Sequence, residues 1–185
     1  MSNITKRALA TALKELLAQN PLDKITIQNL VDTAEVSRKT FYYHFEDIYD
    51  LLEWALVDQG RRLLGEKVTA DTWQQGLERV FAYLEENRSV ILNIHRSKNR
   101  GILDAHMSQL IRPVLQDVFD SQPGQDQIPE EDRQFILELY SYGVVSLFLY
   151  WINNGMKPEG DYMRKRINRL FSGSMEGMIR RYLEN

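Results

Sequence analysis

Apolar positions recur along this chain at three- and four-residue intervals, the spacing of helices buried on one side. Ile4, Ala8, Leu9, Ala12, Leu13, Leu16 and Leu17 form one stripe and predict a helix from about Ile4 to Gln19, ended by Asn20-Pro21. Ile27, Leu30, Val31 and Ala34 predict a second helix behind a Thr26 cap. Glu35-Val36-Ser37 is a break of turn length, and Ser37 caps a short third helix that opens at Arg38. Phe41 and Phe45 stand four apart in that helix and should face the core together.

The pattern stays helical beyond this point. A fourth helix starts at an Asp47 cap, carries Leu51, Leu52, Ala55 and Leu56, and extends to about Lys67. Asp71 or Thr72 caps a fifth with Trp73, Leu77, Val80, Phe81 and Leu84, ending near Asn87. A short helix covers Ser89 to His95, and Ser97 to Gly101 is a polar break. The seventh helix carries Ile102, Leu103, His106, Leu110, Ile111, Val114, Leu115, Val118 and Phe119, with a kink expected at Pro113. Ser121 to Pro129 is a loop; Pro129-Glu130-Glu131-Asp132 then opens an eighth helix that stops at Gly155. From Asp161, Met163, Ile167, Leu170, Phe171, Met175, Met178, Ile179 and Tyr182 give one long ninth stripe. The fold class is all-α.

The second and third helices, joined by a short turn, form a helix-turn-helix, whose second helix enters the DNA major groove by its N-terminal residues. Here those are Ser37, Arg38, Lys39 and Thr40. The run Ile25-Thr26-Ile27, Leu30-Val31, Ala34 to Phe45, continued by Asp47 and Asp50-Leu51-Leu52, closely resembles the DNA-binding signature of the TetR/AcrR family of bacterial transcription regulators. Thr40 to Phe45 with Tyr49 to Leu52 most resembles a Gram-positive subgroup that includes regulators of dihydroxyacetone kinase operons. The resemblance covers about the first quarter of the chain.

It implies a helix-turn-helix DNA-binding domain over residues 1–47 and a helical dimerisation and effector domain over 48–185. It also implies duplex contacts by Thr26, Tyr42, Tyr43 and His44, with Thr26 holding a phosphate through its hydroxyl and the helix amides. The blander alternatives are packing of Tyr43 against the first helix and capping of the helix end by His44. Lys6 and Arg7 are either solvated charges or phosphate contacts. Two positions depart from the family. Glu35 stands where a glycine usually supplies a left-handed backbone, and Ile48 stands where a lysine usually meets a phosphate.

Composition narrows the picture further. The net charge is −3, and residues 1–50 carry six basic against seven acidic side chains, so DNA binding must rest on where the cations sit. With no cysteine, a disulfide framework, thiolate nucleophile or cysteine-zinc site is excluded. No apolar leader is expected at the N-terminus, and the longest charge-free apolar run, Leu139 to Ile152, is too short to span a bilayer. The expectation is a cytoplasmic protein with no membrane association. There is no glycine-rich phosphate loop, nucleophile elbow, or HxxxH or HExxH spacing, so neither an enzyme nor a metal or other cofactor is expected.

The eighth helix is apolar on nearly all sides from Gly143 to Ile152 and must be covered on both faces. We expect it to pair with the ninth and their copies in a four-helix homodimer interface of Val144, Leu147, Phe148, Trp151, Ile167, Leu170, Phe171, Met175 and Met178. The alternative is that it forms the core of the C-terminal domain. The family's effector pockets imply a small-molecule site, with Trp54, Tyr83, His95, His106, Tyr150 and Trp151 as candidates; each also reads as core. The expected protein is a ligand-responsive repressor that binds double-stranded DNA at a pseudo-palindromic operator. The alternative is a protein of the same fold with weak DNA binding that acts through a protein partner.

Overall fold

The structure, a computed structural model, describes residues 2–64, 69–98 and 101–184. Among these residues it holds ten α-helices and no strand: α1 (Ser2–Gln19), α2 (Ile27–Thr33), α3 (Arg38–His44), α4 (Ile48–Leu64), α5 (Trp73–Glu86), α6 (Arg88–His95), α7 (Gly101–Asp120), α8 (Glu130–Asn153), α9 (Gly160–Phe171) and α10 (Ser174–Leu183). The expected end of the fourth helix at Lys67, and Asn99 and Arg100 of the polar break, lie outside the described residues. Pro113 lies within α7, which runs on past it.

The chain forms two compact units, Met1–Gly60 with Asn87–His106, and Arg61–Glu86 with Met107–Asn185. This division differs from a cut after residue 47, for a packing reason. The first part of α4 buries Leu51 and Leu52, and α6 packs along α1 within the same unit. Asn93 of α6 donates from Nδ2 to the Leu17 carbonyl at 2.8 Å, and the Lys98 amide donates to the Asp23 carboxylate at 3.2 Å. The core of this unit includes Leu9, Leu13, Leu17, Leu30, Phe41 and Leu51, each with at most 1% of its surface exposed.

In the second unit, α8 supplies the spine. Its buried residues, Ile136, Leu137, Tyr140, Ser141, Val144, Val145, Phe148, Trp151 and Ile152, lie on one side. Phe81 of α5 stacks on Phe148 at 4.9 Å and tilts against Trp151 at 5.0 Å. The α5 carboxylates hold α9: Glu85 accepts from the Gly160 amide at 2.7 Å, and Glu78 pairs with Arg164 at 2.5 Å. By length and composition α8 could cross a membrane, yet half of its most apolar window is buried inside the protein, as befits a core helix.

Two expectations change here. The last apolar stripe is two helices, not one: Ser172 and Gly173 break it, with Gly173 at φ 70° as the N-terminal cap of α10. Serine and glycine are weak helix formers, and this glycine adopts a left-handed conformation that an L side chain resists. The dimer-face assignment also changes. Val144, Phe148, Trp151, Ile167 and Met175 are buried in the protomer itself. Phe171, Leu147 and Met178 are half-buried, and of the nine only Leu170 is exposed. The open side of α8 instead shows Phe135, Leu139, Tyr142 and Tyr150, all more than half exposed.

Helix ends explain the local breaks. After α2, the Val36 amide donates to the Val31 carbonyl at 3.0 Å and the Glu35 amide to that of Asp32 at 3.4 Å. This is a Schellman closure, and it requires a left-handed residue at Glu35, which has φ 54°. A side chain there costs about 1 kcal/mol relative to glycine. Glu35→Gly is therefore expected to raise stability by roughly 1 kcal/mol in urea denaturation; an unchanged or lowered midpoint would show that the glutamate side chain compensates for the strain.

Candidate nucleic-acid interface

The third helix has only seven residues, and its caps decide its length. Ser37 Oγ accepts the Thr40 amide at 3.0 Å and lies 2.8 Å from Thr40 Oγ1. Inside the helix, 100° per residue sorts the side chains into three sectors. Phe41 is wholly buried and Phe45, just past the end, is 3% exposed. On the arc that runs from Arg38 round to Tyr43, Arg38, Lys39, Tyr42 and Tyr43 are exposed, Tyr43 by 82%. Thr40 and His44 lie on the flank and are half-buried. The structure thus brings Arg38, Lys39, Tyr42 and Tyr43 together on one outward face. Packing of Tyr43 against α1 does not occur. Tyr42 meets Phe41 edge-on at 5.4 Å, and Tyr43 meets His44 at 4.9 Å, which limits the freedom of both phenols.

Arg38 and Lys39 make no ion pair with any described residue, so their charge is available to a ligand. Thr26 is less free than expected. Its hydroxyl accepts the Asn29 amide at 3.1 Å and lies 2.6 Å from Asn29 Oδ1, which also accepts the Thr26 amide at 3.0 Å. This capping box engages the groups assigned to a phosphate, so Thr26 orients α2 and its hydroxyl reaches a phosphate only by leaving Asn29. Asp47 Oδ1 caps α4 through the Tyr49 and Asp50 amides at 2.8 and 2.9 Å, and Asp50 accepts the Glu46 amide at 3.0 Å. Two of the acidic groups that make this region negative therefore serve the α3–α4 turn. Lys6 is half-buried. Its ammonium stands 5.1 Å over the Phe45 ring and 5.7 Å over that of Trp54, an arrangement worth about 0.5–1 kcal/mol that sequence spacing did not reveal.

The proposed effector residues are not brought together. Trp54 packs on Phe45 at 6.0 Å in the first unit, where His95 and His106 also lie. In the second unit Tyr83 is half-buried, and its burial raises its phenol pKa above the ordinary value. Trp151 is 1% exposed and donates from Nε1 to the Pro158 carbonyl at 2.7 Å, and Tyr150 is 65% exposed. None of the six lines the cavity that the second unit does contain. This space of about 240 Å³ is walled by Trp73 and Leu77 of α5, Ile111 and Leu115 of α7, and Tyr140 of α8. Val144, Phe148, Ile167, Phe171 and Met175, which the sequence placed at a dimer face, line it too. The i, i+4, i+7 run of Trp73, Leu77 and Val80 was the available signal, and a helix stripe of this kind reads equally as core.

His106 is 4% exposed, and neither ring nitrogen has a well-formed hydrogen bond. Burial lowers its pKa below the ordinary 6.5; a weak contact to the Leu56 backbone and the Glu53 carboxylate offset part of this. As pH falls through about 6.5 the unfolded chain takes up a proton that the folded chain refuses, so stability declines until the depressed folded-state pKa is reached. His106→Leu should flatten the stability difference between pH 7.5 and 5.5 in urea titrations. An equal pH dependence in parent and variant would show that His106 does not contribute.

Comparison with known proteins matches the chain in two successive stretches. Residues 9–55 match the family described as bacterial regulatory proteins, tetR family, and residues 71–173 match the family described as transcriptional regulator C-terminal region. The HTH-type dhaKLM operon transcriptional activator DhaS of Lactococcus lactis subsp. lactis (strain IL1403) is 31% identical over 87 residues. The match spans 47% of this chain and 46% of that relative, so just under half of each. Among solved structures, dihydroxyacetone kinase operon activator DhaS superposes with a TM-score of 0.70 at 21% identity, over 96% of this chain and 97% of the other. A TetR transcriptional regulator from Rhodococcus sp. RHA1 gives 0.59 at 16% identity, over 94% of this chain and all of the other. At these identities the structural likeness speaks for the fold.

Proposed function

This chain belongs to the TetR family of bacterial transcriptional regulators, a DNA-binding regulator and not an enzyme, and from that premise we propose that it binds a pseudo-palindromic operator as a homodimer and responds to a small-molecule effector in the cytoplasm. The observation that carries the DNA part is the outward face of α3, where Arg38, Lys39, Tyr42 and Tyr43 stand exposed over a buried Phe41. In this reading Arg38 and Lys39 meet base edges or phosphates, and the two phenols and His44 fix the register on the backbone. Ser37 and Thr40 hold the helix start in place.

Two half-sites one helical turn apart, about 34–36 Å, suit a two-fold dimer. The support for a dimer is the unpartnered side of α8. Phe135, Leu139, Tyr142 and Tyr150 recur at helical spacing, all exposed, with exposed Leu170 on α9. A self-complementary face of large apolar residues is what an isologous interface needs. The sign of regulation follows the relatives named as activators, so we read activation in preference to the repression expected from the sequence. The effector would occupy the cavity of the second unit.

Selection of duplexes from a random pool by the purified chain tests this directly. An enriched inverted repeat supports the reading; enrichment only with a second protein present would favour the partner-dependent alternative. On the selected operator, Arg38→Ala with Lys39→Ala should cut affinity by about a hundredfold or more and flatten the salt dependence, with unchanged thermal unfolding because both side chains are exposed. Unchanged affinity would sink the α3 assignment. Leu139→Glu with Tyr142→Glu should convert a sedimenting dimer to a folded monomer with weakened operator binding; an intact dimer would place the interface elsewhere.

A further inference from the structure

The cavity of the second unit is apolar over most of its wall, and most of the polar side chains that line it offer acceptors. Gln122 donates from Nε2 to the Val118 carbonyl at 3.3 Å. Tyr140 donates its hydroxyl to Ser174 Oγ at 3.1 Å, and Ser174 passes its own proton to the Phe171 carbonyl at 2.9 Å. What Gln122 and Tyr140 chiefly have left to offer is an amide oxygen and a phenol oxygen. The other polar side chains in the lining are the indole of Trp73, which offers an N–H donor, and the carboxylates Asp71 and Glu176, neither of which has a side-chain partner among the described residues. No lysine, arginine or histidine lines the space. The amino ends of α5 and α10 supply positive potential at the wall, and Asp71 and Glu176 stand beside them.

We propose that this cavity binds a small, ring-containing apolar molecule that carries a hydrogen-bond donor, a protonated amine above all, and rejects carboxylates of the same skeleton. The inference rests on the effector reading of the cavity and adds the chemistry of its ligand. An anion entering here meets mostly acceptors and two like charges, and no side-chain cation compensates its desolvation. A donor meets oxygens that lack a partner, and an ammonium also meets the carboxylates. Size sets the rest: an apolar cavity of about 150 Å³ admits one benzene ring, so one of about 240 Å³ takes a fused pair or a substituted ring.

The test uses three probes on one skeleton, 1-naphthylmethylamine, 1-naphthalenemethanol and 1-naphthoate, titrated calorimetrically at neutral pH into the full chain without DNA. The amine should bind at least tenfold more tightly than the naphthoate, with the alcohol between them. Asp71→Asn with Glu176→Gln, both at exposed positions, should reduce the amine preference over the alcohol to under about threefold and leave alcohol binding unchanged. In methionine-methyl NMR the Met175 signal should move on binding and that of Met156, which lies in the turn between α8 and α9 and outside the lining, should not. Naphthoate binding as tight as the amine, an amine preference that survives the double variant, a static Met175 signal, or no binding by any probe would each overturn the proposal. Repeating the titration with the selected operator separates the two claims: amine binding that leaves DNA affinity unchanged keeps the ligand class and removes the effector role.

Discussion

A helix of seven residues does not hold its shape in water, because nucleation fixes several residues before hydrogen bonds repay the loss. The direction in which α3 presents its charges therefore depends on the insertion of Phe41 and Phe45 into the core of the first unit. Truncating an aromatic so fully buried costs about 3–5 kcal/mol, a large share of what holds a small domain together. The caps at Thr26, Ser37 and Asp47 add about 1 kcal/mol each and set where helices begin. The anchor and the caps act on different variables: one fixes the face that α3 turns outward, the others fix its start and the turn that leads out of it.

The same arrangement resolves the charge balance of the N-terminal region. A net charge of −1 over residues 1–50 argues against DNA binding only if the charges are spread evenly. They are not. Asp47 and Asp50 accept backbone amides of the α3–α4 turn, Lys6 lies over aromatic rings, and Arg38 and Lys39 project from the helix face. At short range the local pair of cations outweighs a diffuse negative background, because screening removes interactions beyond about 10 Å at moderate salt. Binding of this kind is modest in non-specific strength and depends on base contacts for the remainder.

The legibility of the sequence divides along the same line as the physics. Much of what near neighbours set could be read: the capping residues, the pairing of Phe41 with Phe45 and the stop at Gly155, while the left-handed residue at Glu35 was legible through the family resemblance. What depends on which side of a helix meets which partner could not. From Gly143 to Ile152, α8 is apolar all round, so its period carries no phase, and residues that line the core were assigned to a partner copy. The break at Ser172-Gly173 was hidden because the apolar stripe resumes in register on the far side, at Met175 and Ile179. The packing of α6 along α1 was out of reach for a different reason: it joins segments about seventy residues apart, and no local pattern encodes the pairing.

That all-round apolarity has a structural consequence beyond misassignment. A helix buried on one side only would carry polar residues opposite, yet α8 keeps Phe135, Leu139, Tyr142 and Tyr150 exposed across from Tyr140, Val144, Phe148 and Trp151. The core side of α8 and the exposed side proposed for a dimer thus use different residues of one helix. The side that faces inward also lines the cavity through Tyr140, Val144 and Phe148. Packed interiors transmit displacement because they have little free volume to absorb it. A molecule that fills the space beside Val144 and Phe148 therefore acts on the inward side of α8, and in the proposed dimer this helix would couple occupancy to assembly.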